Sequence, residues 1–228
     1  MFNENAIHMF VTNQKCKRYN YKKLHELECE TNPVAIIVAE GKYRKQKDKS
    51  VGVGSVKQRV VLAKNCRVML RSTLSVRHRL VNGSIGTVRK IIYYDRQPPS
   101  LPDYVLVEFD NYSGPTVIGT NLVPVAPVVQ ESETTGIASM KNLPLCLAYG
   151  RTVYKAQGST LTNAVVDLGA SERSLGVTYV ALSRTRSLSS MRLFSFPRRR
   201  LTSIAENPEL KWRKLEKQDF LAKNILHD

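Results

Sequence analysis

Hydrophobic residues fall along this chain in short runs whose period changes twice. Ile7-His8-Met9-Phe10-Val11 is an apolar run suited to a strand. Thr12 to Leu27 reads as a helix: Thr12 or Asn13 can cap it, Cys16, Leu24 and Leu27 fall on one side, and Lys and Arg fill much of the remainder. Pro33-Val34-Ala35-Ile36-Ile37-Val38 is a second strand-like run, and strand, helix, strand at this spacing predicts an α/β layer on a parallel sheet. From Val60 to Val129 the texture becomes β, with runs at Val60–Ala63, Val68–Leu70, Ile85–Tyr94, Tyr104–Phe109 and Leu122–Val129. Asn82-Gly83, Pro98-Pro99 and Gly114-Pro115 separate them, which predicts a small sandwich or barrel, and Pro102, Pro115, Pro124 and Pro127 belong on edges or in turns. Gln130 to Lys141 is polar and reads as a connector. The α/β texture then returns, with strand-like runs at Leu145–Ala148 and Ala164–Leu168. Leu175 to Arg186 is helix-like and apolar nearly all round, so burial is expected, and Lys211 to Leu226 predicts an exposed helix. The simplest architecture is an α/β domain split by a β-module inserted in its middle.

Charge narrows the partner. The 228 residues carry 35 Lys and Arg against 19 Asp and Glu, a net charge of +16, and clustered cations favour a polyanion because binding releases its counterions. Basic balance alone also fits ribosomal, chromatin and membrane-surface proteins. No apolar run approaches the ~18–20 residues that span a bilayer, and Met1 to Phe10 lacks the basic and apolar regions of a secretory signal. The four cysteines, Cys16, Cys29, Cys66 and Cys146, form no CxxC pair, so no metal site is expected and reduced thiols in an intracellular compartment are. No membrane association is expected.

Four stretches could carry chemistry. A phosphate loop of the form GxxxxGK[ST] would supply backbone amides, a lysine and a magnesium-binding hydroxyl; Gly52 to Lys57 has glycines and a lysine at the wrong spacing, and Gly41-Lys42 lacks the rest. Lys42 to Ser55 is basic, either a solvated loop or one that tracks phosphates. Thr152-Val153-Tyr154-Lys155-Ala156-Gln157-Gly158-Ser159-Thr160-Leu161 is a polar turn in which Gly158 permits close backbone approach, and Thr152 with Lys155 could hold a phosphodiester. In Gly176 to Arg186, Arg184 extends the stripe of Val177, Val180 and Ala181; an arginine there needs a partner, either a salt-bridging carboxylate or a phosphate across an interface. Around the β-module's first turn, Arg71, Arg77, His78, Arg79, Arg89 and Lys90 flank Asn82-Gly83 and Gly86, a basic surface that could sit on a nucleic-acid backbone.

In this order, the stretches resemble the C-terminal half of superfamily 1B DNA helicases of the Pif (petite integration frequency) family. His8 to Asn13 followed by Tyr19-Asn20 resembles the entry to that family's second RecA-like domain. Val68 to Arg71 with Leu80 to Val88 resembles the start of its SH3-like insert. Thr152 to Leu161 resembles helicase motif V, and Tyr179-Val180-Ala181-Leu182-Ser183-Arg184-Thr185-Arg186 resembles motif VI. The resemblance implies a second RecA-like domain of a P-loop-type helicase, interrupted by a small SH3-like β-barrel. The matching boundaries are residues 1–60 and 131–200 for the RecA-like parts, 61–130 for the insert and 201–228 for a helical tail. It implies that Arg184 is an arginine finger for the γ-phosphate of ATP and that Gln157 and Gly158 sense the nucleotide. Single-stranded DNA would lie against Thr12, Asn13, Thr152, Tyr154 and Lys155, with Arg71, Asn82 and Gly83 guiding it on the insert. Motif V of the family usually has His where this sequence has Tyr154, and a phenol cannot become cationic. ATP and Mg2+ would be held only together with a first RecA-like domain, the partner that carries the phosphate loop. The expected role is thus a module of a 5′→3′ DNA helicase, nuclear or mitochondrial; the alternative is a stand-alone single-stranded nucleic acid binder or an inactive helicase remnant.

Overall fold

The computed structural model describes residues 6–41, 59–131, 139–169, 176–194 and 209–225. In chain order these form β1 (Ile7–Phe10), α1 (Asn13–His25), β2 (Ala35–Val38), β3 (Glu40–Gly41), β4 (Arg59–Leu62), β5 (Arg67–Leu70), β6 (Ile85–Ile92), β7 (Tyr104–Phe109), β8 (Val123–Val125), β9 (Val128–Glu131) and β10 (Ser139–Asn142). There follow β11 (Leu145–Leu147), β12 (Gly150–Thr152), α2 (Val153–Ala156), β13 (Ala164–Asp167), α3 (Val177–Leu182), a 3-10 turn (Leu188–Ser190), β14 (Met191–Phe194) and α4 (Glu209–Ile225). The basic stretch from Lys42 to Ser55 lies outside the described residues.

The chain divides into two compact units, one from residues up to Arg18 and from Gly150 onward, the other from Tyr19 to Tyr149. The first contains a sheet in the order β12-β1-β13-β14 whose adjacent strands all run parallel. Met9 on β1 and Ala164 and Val166 on β13 point to one face, where Val153 and Ala156 of α2 and Val177 and Ala181 of α3 complete an apolar core. Parallel strands need crossovers, and short helices on the face supply cover for the apolar side chains. Thr12 caps α1 as expected, its Oγ1 accepting from the Lys15 amide at 3.3 Å. The helix ends on Lys22 and Lys23, cations that suit its carboxyl-terminal dipole.

The second unit is antiparallel throughout. Its largest sheet has the order β11-β5-β6-β7-β8, accompanied by β2-β4 and by β3-β10-β9. Val68, Leu70, Val88, Val105, Val107 and Val125 alternate inward along their strands and meet Leu24, Ile37, Leu62, Leu101 and Leu145 in one core. Pro124 sits in the edge strand β8, where a missing N–H breaks no ladder. Gly86 lies where β6 crosses β7: a Cβ there would come within 2.6 Å of the Glu108 carbonyl oxygen and 3.0 Å of Phe109 Cα. The bulge falls further along, between Val88 and Lys90.

Several expectations are corrected. β2 does not join β1 in a parallel sheet; it pairs antiparallel with β4 in the other unit. β11 likewise pairs with β5 rather than rejoining the α/β part. Gln130 to Lys141 is no mere connector, because β9 and β10 pair across it. The compact units divide at residues 18/19 and 149/150, because the flanking strands β2, β4 and β11 close the antiparallel core. The expected helix from Leu175 to Arg186 is shorter: Leu175 lies outside the described residues, and α3 ends at Leu182. Thr185 instead bridges to Leu161, and the Leu161 amide donates to the Arg184 carbonyl at 2.8 Å, which pulls the chain out of helix. Nor is α3 buried all round, for Tyr179 is 75% exposed.

Candidate nucleotide and nucleic-acid site

Phe10, at the end of β1, registers with Thr152 of β12 on one side and Asp167 of β13 on the other. Three parallel strands thus finish at one level, and the segments leaving them carry most of the polar residues singled out in the sequence. The carboxyl edge of an open α/β sheet is where ligands bind, because loops and helix starts converge there. Thr12 is half-buried and Asn13 exposed. Thr152 is 4% exposed, whereas Tyr154 and Lys155, on the outer side of α2, are open to solvent.

After Ala156 the chain turns sharply. Gln157 leaves the helical region and Gly158 takes φ +77°, a left-handed conformation that disfavours a side chain. A Cβ at Gly158 would meet nothing within 4 Å, so the demand comes from the backbone alone. Both residues are exposed. Ser159 fastens the turn: its amide and its hydroxyl both donate to the Ala156 carbonyl, at 3.1 and 2.7 Å.

Two arginines converge on Ser159. Arg184 Nη1 donates to the Ser159 carbonyl at 3.4 Å, and Arg151 Nη1 donates to its hydroxyl at 3.4 Å. Arg184 is further held by Nε to the Val180 carbonyl and Nη2 to the Ser183 hydroxyl, both at 2.8 Å. All three of these acceptors are neutral. Among the described residues no carboxylate pairs with Arg184, so the salt-bridge reading of this arginine finds no partner there. The structure therefore brings Gln157, Gly158 and Arg184 together, as motifs far apart in sequence, with a half-buried guanidinium set against an exposed turn.

Arg71, Asn82 and Gly83 belong to the other unit. The Gly83 amide donates to Leu70 O at 2.9 Å and the Asn82 amide to Thr73 Oγ1 at 3.3 Å, which holds the turn against the end of β5, next to Arg71. Gly83 takes φ +101°, as an Asn-Gly turn requires. Asn82 is exposed and Arg71 half-buried.

Two features escaped the sequence. Arg151 is 7% exposed beneath the turn that it braces. Asp167 closes β13 and is paired with Lys15 of α1, Nζ lying 3.1 Å from Oδ2 and 3.4 Å from Oδ1. The visible signal was an apolar strand ending in an acid; its partner stands 152 positions away.

Comparisons with known proteins bear on this arrangement. No family model matches the chain. The ATP-dependent DNA helicase Pif1 of Bdellovibrio bacteriovorus is 28% identical over 202 residues, covering 89% of this chain, and the rat helicase PIF1 is 33% identical over 180 residues, covering 78%. The chain belongs to the Pif1 helicase family. It spans 41% of the Bdellovibrio protein and 25% of the rat one. Among solved structures, Bacteroides Pif1 in complex with ADP-AlF3 and single-stranded DNA matches 96% of this chain and 46% of its own, with a TM-score of 0.61 at 22% identity. The fold of this Pif1-family chain is accordingly RecA-like α/β. No helix among the described residues is long and apolar enough to cross a membrane.

Proposed function

We propose that this chain is the C-terminal module of a Pif1-family 5′→3′ DNA helicase, in which Arg184 serves as the arginine finger. The observation that carries the reading is the state of Arg184: a half-buried guanidinium oriented by neutral oxygens and fixed to the Gln157–Gly158 turn. Three of its five donors hold it in place, and its charge remains for an anion. In phosphoryl transfer such a guanidinium stabilises charge developing on the γ-phosphoryl oxygens, worth roughly 10³–10⁵ in rate. Gln157 and Gly158, exposed beside it, would read the same nucleotide. A Pif1 neighbour of similar fold binds ADP-AlF3 and single-stranded DNA together, which favours both ligands here.

ATP and Mg2+ would be held jointly with a first RecA-like domain, which supplies the phosphate loop, the magnesium ligand and the partner surface. Single-stranded DNA would run along the carboxyl edge of the parallel sheet, past Thr12, Asn13 and Thr152, with Lys155 on a phosphate and Tyr154 stacking on a base. The antiparallel unit would be the SH3-like insert, its Asn82–Gly83 turn and Arg71 guiding the strand. The protein would act on DNA in the nucleus or the mitochondrion.

The test is ATP turnover by the purified chain beside a fusion carrying the first RecA-like domain of a Pif1 relative, each with and without single-stranded DNA. DNA-stimulated turnover by the fusion and none by the chain is the expected result. Turnover by the chain alone would reveal a nucleotide site of its own. Single-strand binding with a silent fusion would favour a stand-alone nucleic acid binder, to which the net charge of +16 is equally suited.

A further inference from the structure

We propose that Lys15 is a phosphate contact on the single-strand path and that Asp167 is its resting partner, displaced when DNA binds. The inference rests on the proposed path along the carboxyl edge of the parallel sheet and extends that path by one strand. Phe10, Thr152 and Asp167 stand at the same level on adjacent strands. Neighbouring strands lie about 4.8 Å apart, so β12 and β13 are separated by about 10 Å. Thr152, with Lys155 beyond it, marks one side of that edge. Lys15, reaching from the first turn of α1 to the end of β13, marks the other.

The two partners are unequally buried. The Asp167 side chain is 16% exposed and is anchored by the Gly169 amide, which donates to Oδ1 at 3.0 Å. The Lys15 side chain is 52% exposed on a flexible stem. The carboxylate is therefore the fixed member and the ammonium the movable one. The ammonium end of the pair is open to water, so Lys15 can leave the carboxylate for a phosphodiester while Asp167 stays anchored by Gly169. Gains come from counterion release by the DNA. An ammonium is a point charge with three rotatable donors and needs no preset geometry for the exchange. Asp167 on this view sets the resting orientation of Lys15 and lowers affinity slightly by competing with the phosphate.

The experiment is fluorescence anisotropy of a labelled oligothymidylate with the full chain, titrated at several salt concentrations, for Lys15→Ala, Lys15→Arg, Asp167→Asn, the Lys15→Ala/Asp167→Asn pair and Lys155→Ala. Lys15→Ala should raise Kd about three- to tenfold and reduce the salt slope by about 0.7, while Lys15→Arg stays within about twofold of the parent. Asp167→Asn keeps an acceptor for Gly169 and should lower Kd about two- to fivefold, a gain that vanishes in the pair. A normal Kd for Lys15→Ala with a raised Kd for Lys155→Ala would overturn the proposal and leave the strand path standing. Normal values for both lysine variants would overturn the path as well. Weaker binding by Asp167→Asn would show that the pair holds the edge together rather than competing, and would also overturn it. Melting temperatures separate that outcome from unfolding, and Lys15→Arg against Lys15→Ala still decides the contact if Asp167→Asn fails to fold.

Discussion

The two units use the same residue type in opposite ways. On the antiparallel unit, Arg67, Arg89 and Arg96 are tied to carboxylates. Arg67 forks onto Asp110 and reaches Thr87 Oγ1 at 2.9 Å, while Arg89 pairs with Glu108 at 2.7 Å and takes Asn65 Oδ1 at 3.0 Å. Arg96 holds Glu40 and Asp103. On the parallel unit Arg184 is held by carbonyl and hydroxyl oxygens, and among the described residues no carboxylate pairs with it or with Lys155. These arginines of the antiparallel unit are neutralised within the fold, whereas Arg184 is oriented by neutral oxygens. A net charge of +16 is thus a poor guide to where a polyanion sits; the pairing state of each cation is the better one.

The sharpest way to break this contrast is Arg184→Ala. In a complete enzyme, ATP turnover should fall by roughly 10³-fold or more, while the melting temperature of the chain changes little. Collapse of the fold would mean that the arginine is a structural brace like those of the other unit. Next comes Gly86→Ala, which forces a methyl against the Glu108 carbonyl of β7. Overpacking of this kind costs about 1–3 kcal/mol, a fall of roughly 3–10 °C in melting temperature, measurable by calorimetry; an unchanged transition would show that β6 and β7 can move apart.

Alkaline pH should also act on the antiparallel unit. Burial pushes the Cys66 thiol from an ordinary 9.0 up to about 12, and burial raises the Tyr149 phenol as well. Below pH 9 the thiol keeps its proton in both folded and unfolded chains, and its contribution is complete. Between pH 9 and 12 the unfolded chain releases that proton while the fold retains it, so stability falls through this window. Denaturant midpoints from pH 8 to 11 should decline, and Cys66→Ala should flatten the decline; the same slope in both would remove the thiol from the account. The smallest effect is expected from Arg89→Ala, an exposed pair: under about 1 kcal/mol in stability and less than about twofold in single-strand affinity by anisotropy. A larger loss of affinity would mean that paired arginines of this sheet also meet DNA.

Strand positions were legible wherever apolar residues cluster in one short run between turn residues, as at Ile7–Phe10, Arg67–Leu70 and Tyr104–Phe109. Partners were not. A run such as Ala35–Val38 has the same pattern whether it lies parallel to β1 or antiparallel to β4, and the choice depends on a core assembled from residues many positions away. The β9–β10 pair escaped because its polar residues carry little alternation to read. At the site, the Thr152–Leu161 turn and Arg184 stood out because each is a local arrangement of unusual residues. Arg151 and the Lys15–Asp167 pair did not, since each depends on which strands become neighbours.

The parallel sheet pairs His8 with Gly150, and the whole of Tyr19 to Tyr149 intervenes as a compact unit. For an unstructured chain, closing so long a loop is slow and entropically costly, by about 2 kcal/mol more than a loop of ten residues. Tyr21 and Tyr149, near the two ends of that unit, pack against one core, so once the antiparallel part has formed it delivers both ends of the gap at close quarters. Assembly of the parallel sheet should therefore wait on its insert, and a mutation in the β-module far from any ligand would delay the appearance of the Arg184 site without touching it.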